Sequence, residues 1–208
     1  MELIERVDAK RVFLWLTAAA LAVTLMALIL GGIRAGGREG LVKELLAETD
    51  AEIIDAPLTE QQARWPLEMQ DGQRVELSQL PRDTLVFVNF WATWCPPCRN
   101  ELPSMLKLRQ SLGDRRFAMI AVSYDDDWDA ISTFFKAFRG GIPAPSELFV
   151  LRDTAGDGQL TLRETFGTTK LPDSYVVMNG RVLARFVNVR NWTHPSIVDY
   201  FRLLAPAR

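Results

Sequence analysis

The amino-acid sequence predicts an α/β domain with a central mixed sheet flanked by helices, preceded by one transmembrane helix. The first observation is an uncharged apolar run, Val12–Leu30, ahead of a chain of ordinary globular composition. The second is a pair of short apolar runs, Thr84–Phe90 and Phe117–Ser123, with a helical pattern between them, as in a βαβ unit. The third is an Asn179-Gly180 step between two later apolar runs, which indicates a β-hairpin.

The composition limits the classes of function. The 208 residues include 24 Lys and Arg, 26 Asp and Glu, and two cysteines. The formal net charge of -2 argues against an electrostatic nucleic-acid binder. Two cysteines are too few for a disulfide framework or a four-thiolate zinc site, and a domain of about 170 residues needs no such staples. The cysteines are therefore either chemically active or incidental.

The first 56 residues predict a membrane anchor and a linker. Residues 12–30 are uncharged over roughly 19 positions, enough at 1.5 Å per residue to cross a hydrocarbon core of about 30 Å. A cleaved signal peptide is the alternative, but the run is long and no small-x-small site follows it. Basic residues flank both ends, so charge bias does not fix the orientation. Residues 31–56 predict a juxtamembrane helix, centred on Leu41–Asp55, or a solvated spacer.

Residues 57–208 predict one domain that begins with an extra hairpin. Trp65–Leu77 contains two apolar runs around Asp71-Gly72, a strong hairpin signal. The apolar run Thr84–Phe90 predicts a central strand that is buried on both faces. The remaining predicted elements are helices over Cys95–Gln110, Asp129–Phe138 and Pro195–Leu204, and strands over Phe117–Ser123, Ser174–Met178 and Arg181–Phe186.

The strongest chemical signal is the segment Trp94-Cys95-Pro96-Pro97-Cys98, where the central strand passes into a helix at the carboxyl edge of the sheet. Cys95 and Cys98 are three residues apart on the first helical turn, so their side chains can reach disulfide geometry. Cys95 at the N-cap and Pro96 at the first helical position put the positive helix end beside the Cys95 sulfur, which favours its thiolate. We therefore predict Cys95 as the nucleophile and Cys98 as the resolving thiol. The alternatives are two structural cysteines or half of a metal site, for which the sequence offers one histidine, His194.

Asn89–Pro103, with the sequence NFWATWCPPCRNELP, resembles the active-site segment of membrane-anchored thioredoxin-like proteins of the TlpA/ResA/CcmG type. The resemblance extends from about Pro57 to the C-terminus. It implies a thioredoxin fold in the periplasm or another extracytoplasmic space, on a single-pass anchor in a bacterial cytoplasmic membrane, with residues 1–11 in the cytoplasm. Family members typically reduce disulfides in protein substrates, such as apocytochrome c during cytochrome c maturation or copper-site proteins. A transmembrane thiol carrier donates the electrons, and the Cys95–Cys98 disulfide is the redox group, with no other cofactor and no metal expected.

The resemblance also implies roles for residues outside the cysteine pair. A glutamate at the position of Glu101 tunes the cysteines and shuttles their protons, while the alternative is an acid favoured by the helix dipole. Leu171-Pro172 matches the cis-proline loop of the family, whose backbone pairs with an extended substrate segment. The substrate-binding residues implied are therefore Trp94, Pro96, Leu171 and Pro172.

Two other functions stay open at this stage. The same dithiol chemistry could form disulfides, because the reduction potential depends on the stability of both redox states. A non-catalytic binding module or chaperone could use the cis-proline groove, although it would leave the cysteine pair unexplained. Asp153–Glu164 has some spacing of a calcium loop, but Ala155 at its third position favours a turn-rich connector.

Overall fold

The computed structural model describes residues 9–154 and 160–208. Two compact units make up the chain, residues 1–43 and residues 44–208. Helix α1 runs over Ala9–Ala47. Within the described residues, no helix combines the length and the apolarity needed to cross a membrane.

The second unit is built around one mixed sheet. Its strands in the described part of the chain are β1 (Glu52–Pro57), β2 (Leu67–Glu68), β3 (Arg74–Val75), β4 (Leu85–Trp91), β5 (Phe117–Ser123), β6 (Phe149–Asp153), β7 (Asp173–Met178) and β8 (Arg181–Val187). The helices of this unit are α2 (Glu60–Ala63), α3 (Pro96–Ser111), α4 (Trp128–Arg139), α5 (Leu162–Thr165) and α6 (Pro195–Leu204), with a 3₁₀ turn at Leu77–Gln79. The strand order is β1-β8-β7-β4-β5-β6-β2-β3.

The predicted central elements are confirmed. All seven residues of β4 are buried. Strand β4 pairs directly and in parallel with β5, and helix α3 connects the two strands. Strands β2 and β3 form the extra hairpin, and β7 and β8 form the second one. Asn179 and Gly180 both have positive φ, 53° and 72°, as a two-residue hairpin turn requires.

Two strands were not predicted, because each depends on a partner far along the chain. The helical pattern predicted over 41–55 ends at Ala47, and Glu52–Pro57 forms β1 against β8 instead. This edge strand is mostly exposed and carries Glu52 and Asp55, so its sequence lacks a strand-like alternation. Phe149–Asp153 forms β6, whose parallel partner β5 precedes it by a whole helix.

The two faces of β4 pack against different aromatic groups. On one face Phe87 contacts Trp192 and Phe201, with ring centroids 4.6 and 5.6 Å apart. On the other face Phe90 contacts Tyr175 at 5.8 Å. Each buried aromatic ring stabilises the fold by about 1.5–3 kcal/mol, so these clusters fix the strand that leads into the cysteine segment.

The possible calcium loop lies partly outside the described residues, because it includes residues 155–159. Asp153 instead accepts hydrogen bonds from the Tyr124 hydroxyl at 3.0 Å and the Leu162 N–H at 2.7 Å. Glu164 accepts from the Thr161 N–H at 2.7 Å in a capping box at the start of α5. Both carboxylates therefore stabilise local structure.

Candidate active site

The cysteine pair forms a disulfide at the N-terminus of α3. Cys95 occupies the N-cap and Cys98 the first turn, with Cα atoms 5.3 Å apart. The Cys98 N–H donates to the Cys95 Sγ at 3.3 Å. Cys95 is 5% exposed and Cys98 is 2% exposed. Cys95 is therefore the slightly more exposed residue of the two.

The predicted substrate-binding residues lie at the end of the sheet where β4 leads into this disulfide. Trp94 is 63% exposed. Pro96 is also exposed, while Leu171 is half-buried and Pro172 is buried. The Leu171–Pro172 peptide bond is cis, as predicted. Asp173, the next residue, pairs with Phe90 on β4, so the cis-proline loop lies at the strand end that leads to the cysteines.

A buried carboxylate that sequence reasoning missed fixes the loop before Cys95. Asp125 is 4% exposed and accepts hydrogen bonds from the Thr93 N–H at 2.9 Å and from the Thr93 hydroxyl at 2.5 Å. It also accepts from the Ser123 hydroxyl at 2.6 Å. Three consecutive aspartates at residues 125–127 are by themselves typical of a solvated helix cap. Asp127 fills that role by accepting a hydrogen bond from the Ala130 N–H at 2.8 Å.

Glu101 lies one helical turn after Cys98 and is 1% exposed. Its Oε1 accepts from the Asn89 Nδ2 at 2.9 Å. Its Oε2 accepts from the Arg190 N–H and from the Trp192 Nε1, both at 3.1 Å. The sequence singled out Glu101 but could not identify the Arg190 and Trp192 donors, because they lie about 90 residues away in the chain.

The surroundings of Glu101 favour retention of its proton to near neutrality. Burial raises the pKa of Glu101 from 4.5 to about 7. The Arg190 N–H, the Trp192 indole and the Asn89 amide donate hydrogen bonds to the carboxylate and lower its pKa against this shift. The positive charge of Arg190 lowers the pKa as well. A carboxyl group with a pKa near neutrality can both accept and release protons at physiological pH.

Comparison with known proteins assigns the chain to a family. The AhpC/TSA family model matches residues 56–181, which include the disulfide, Glu101 and the cis-proline loop. The chain belongs to the thioredoxin-like AhpC/TSA family. The thiol-disulfide oxidoreductase ResA of Bacillus subtilis is 30% identical over 160 residues, which cover 76% of this chain and 79% of ResA. This AhpC/TSA-family chain is accordingly a thiol-disulfide oxidoreductase.

Solved structures share the fold of this AhpC/TSA-family domain. A protein described as thiol:disulfide interchange protein DsbE from Chlorobium tepidum is 24% identical with a TM-score of 0.57, over 71% of this chain and 94% of that protein. A secreted disulfide oxidoreductase of Mycobacterium tuberculosis is 15% identical with a TM-score of 0.51, over 70% and 98% of the two chains. At these identities the likeness establishes the thioredoxin-like fold.

A buried ion pair supports the cis-proline loop of this AhpC/TSA-family chain. Asp173 is 1% exposed, and its Oδ2 accepts from the Arg185 Nη2 at 2.7 Å and from the Thr168 hydroxyl at 2.6 Å. The Tyr175 hydroxyl donates to the Phe166 carbonyl at 2.8 Å beside this pair. Because Asp173 follows Pro172 directly, these bonds fix the C-terminal end of the loop.

Proposed function

We propose that this oxidoreductase is tethered to a bacterial cytoplasmic membrane by residues 12–30 and reduces disulfides in extracytoplasmic proteins. The substrates we propose are apocytochrome c or copper-site proteins, and the electron donor is a transmembrane thiol carrier. The observation that carries the proposal is the Cys95–Cys98 disulfide at a helix N-terminus, flanked by exposed Trp94 and by the cis-proline loop. The uncharged run over residues 12–30 and the exposed apolar side chains along it support the tether.

In the proposed reaction the reduced enzyme transfers two electrons to its substrate. The Cys95 thiolate attacks one sulfur of the substrate disulfide, which forms a mixed disulfide and releases the other substrate sulfur as a thiolate that takes up a proton. The Cys98 thiolate then attacks the Cys95 Sγ, releases the second substrate thiolate and closes the Cys95–Cys98 disulfide. A dithiol of the carrier reduces that disulfide again by the same exchange.

Glu101 supplies a proton acceptor for the second step. Cys98 is buried and must lose its proton before it attacks the mixed disulfide. Glu101 is one helical turn from Cys98, and its pKa of about 7 lies below the usual thiol value of about 8.5. We assign Glu101 the role of general base for Cys98 in reduction of the substrate, and of general acid when the carrier reduces the disulfide.

The substrate segment is proposed to bind in extended form along the cis-proline loop. The Pro172 carbonyl already accepts from the Asn188 N–H at 3.1 Å. The substrate backbone therefore pairs with Leu171, the half-buried residue before the cis bond. The exposed faces of Trp94 and Pro96 contact substrate side chains next to the disulfide under attack.

Trapping of the mixed disulfide tests this function. In the full chain, Cys98→Ser removes the resolving thiol, so Cys95 should retain substrates in complexes that dithiothreitol releases. Cys95→Ser is the matched control and should retain none. Complexes in equal yield with both variants, or with neither, would contradict the proposed exchange. The tether is tested separately: the full chain should remain in the membrane fraction after alkaline washing, and a chain without residues 12–30 should not.

A further inference from the structure

The last residues of helix α1 and those that follow it are packed against the redox domain. In this docked segment, Leu46–Asp50, Leu46 is 1% exposed and Thr49 is 6% exposed. The Glu48 carboxylate accepts a hydrogen bond from the Ser196 hydroxyl of α6. The docked segment is therefore fixed to the domain before the chain enters β1.

The guanidinium of Arg190 also binds the docked segment. Its Nη1 donates to the Thr49 carbonyl at 2.7 Å, and its Nη2 donates to the Asp50 carbonyl at 3.1 Å. The same Nη2 donates to the Val187 carbonyl at the end of β8, at 3.2 Å. Charge-assisted hydrogen bonds of this kind are about twice as strong as neutral ones. Arg190 therefore links the docked segment firmly to the end of β8.

The backbone of Arg190 faces the redox site. Its N–H donates to the Glu101 Oε2 at 3.1 Å, and Trp192, two residues later, donates to the same oxygen through Nε1. The Trp192 N–H also donates to the Ser104 hydroxyl of α3 at 3.2 Å. One short loop thus carries two of the hydrogen bonds to the Glu101 carboxylate, and the Arg190 side chain ties that loop to the docked segment.

We propose that Arg190 is a positioning residue that couples the docked segment to the Glu101 carboxylate. Displacement of the docked segment moves the Arg190 side chain. The backbone N–H of Arg190, which donates a hydrogen bond to the Glu101 carboxylate, moves with it. The contacts of the docked segment thereby set how readily Glu101 releases its proton. The functional consequence rests on the role proposed above for Glu101, whereas the coupling itself can be measured without any substrate.

The charges around Glu101 determine the direction of the effect. Within the described residues, Arg190 is the charged group that influences the pKa of Glu101. The other two donors to the carboxylate, Asn89 of β4 and Trp192, are neutral. The cysteine pair on α3 adds titratable thiols only when it is reduced. The Arg190 charge and N–H both lower the pKa of Glu101 against the effect of burial. Loss of the Arg190 side chain should therefore raise this pKa further.

The test is a titration of Glu101 in the oxidised full chain, labelled with ¹³C at the glutamate carboxyls and held in detergent micelles. The Glu101 signal is assigned by its absence in Glu101→Gln. In Arg190→Gln we expect the proton affinity of Glu101 to rise about tenfold, because the variant loses both the Arg190 charge and the side-chain hydrogen bonds that hold its backbone N–H against the carboxylate. Arg181→Gln is the matched control, because Arg181 also holds an N-terminal segment, through the Asp55 side chain at 2.8 Å, but from the other end of β8. It should leave the midpoint unchanged.

An unchanged Glu101 midpoint in folded Arg190→Gln overturns the coupling. If Arg190→Gln does not fold, Arg190→Lys decides, because it keeps the charge but loses the fork that spans two carbonyls. Arg190→Lys should raise the midpoint by less than tenfold, and no rise overturns the proposal.

A second readout is the pH profile of disulfide reduction by dithiothreitol. Arg190→Gln should shift this profile in the wild-type background and leave it unshifted in the Glu101→Gln background. A shift of equal size in both backgrounds overturns the proposal. If Glu101→Gln alone leaves the profile unchanged while Arg190→Gln still moves the carboxyl titration, the coupling stands and the proton role of Glu101 fails.

Discussion

Replacement of Glu101 by Gln should remove a pH-dependent loss of stability while it keeps the packing and the hydrogen bonds of the buried side chain. The Gln carbonyl can accept from the Arg190 N–H and the Trp192 indole as the carboxylate does. Its amide nitrogen then faces Asn89, which can rotate its own amide so that Oδ1 accepts from both the Gln amide and the Ser174 hydroxyl. Volume and hydrogen bonding are retained, and only the ionisable group is lost.

The magnitude follows from the pKa of Glu101. Folding raises this pKa from 4.5 to about 7, so the folded state binds the proton more tightly than the unfolded state. The stabilisation from the neutral carboxyl is fully present below pH 4.5 and is lost as the pH rises through about 7. At 1.36 kcal/mol per pH unit, the wild-type free energy of unfolding should fall by about 3 kcal/mol relative to Glu101→Gln across this interval.

Urea unfolding of the oxidised full chain in detergent micelles, followed by tryptophan fluorescence, measures this difference. The titration is run for both proteins from below pH 4.5 to above pH 7. Glu147→Gln, which removes an exposed carboxylate paired with Arg139, is the control for loss of a surface charge. A difference between wild type and Glu101→Gln that stays constant with pH would refute the assignment of a raised pKa to Glu101.

Three further substitutions test the contacts around the site. Trp192→Phe removes an indole N–H from the buried carboxylate and should raise the midpoint of its ¹³C titration by about one pH unit. Arg185→Met leaves Asp173 buried without its cation and should lower the free energy of unfolding in urea by about 3–5 kcal/mol, most of which the double variant with Asp173→Asn should restore. Thr93→Val removes the hydroxyl donor to buried Asp125 and should lower the urea stability by about 1–3 kcal/mol.

The elements that the sequence predicted correctly are those with local signals. The uninterrupted apolar run of β4, the Asn179-Gly180 turn and the proline at the start of α3 each specify structure within a few residues. Strand β1 depends on pairing with β8, and β6 depends on pairing with β5. Both partners lie far along the chain, so no local sequence pattern predicts the pairing.

The same limit applies to the candidate site. The motif around Cys95 and the turn before Glu101 are contiguous in sequence, so the dithiol could be predicted. The donors that hold Glu101 could not, because Asn89, Arg190 and Trp192 meet it only after the sheet has formed. Trp192 packs against Phe87 in the core, as a tryptophan commonly does, but nothing in the sequence indicates its hydrogen bond to the carboxylate.

The most direct test of the proposed function is the reduction potential of the Cys95–Cys98 pair. The full chain should be used, because a fragment that begins at residue 57 would lose strand β1 from the sheet. The protein is equilibrated with dithiothreitol and glutathione buffers, and the reduced fraction is measured by thiol alkylation. A potential at or below the thioredoxin value of about -270 mV is the predicted result for a reductant supplied through the membrane. A potential near the value of about -120 mV, typical of a strong oxidant, would contradict that direction of electron flow.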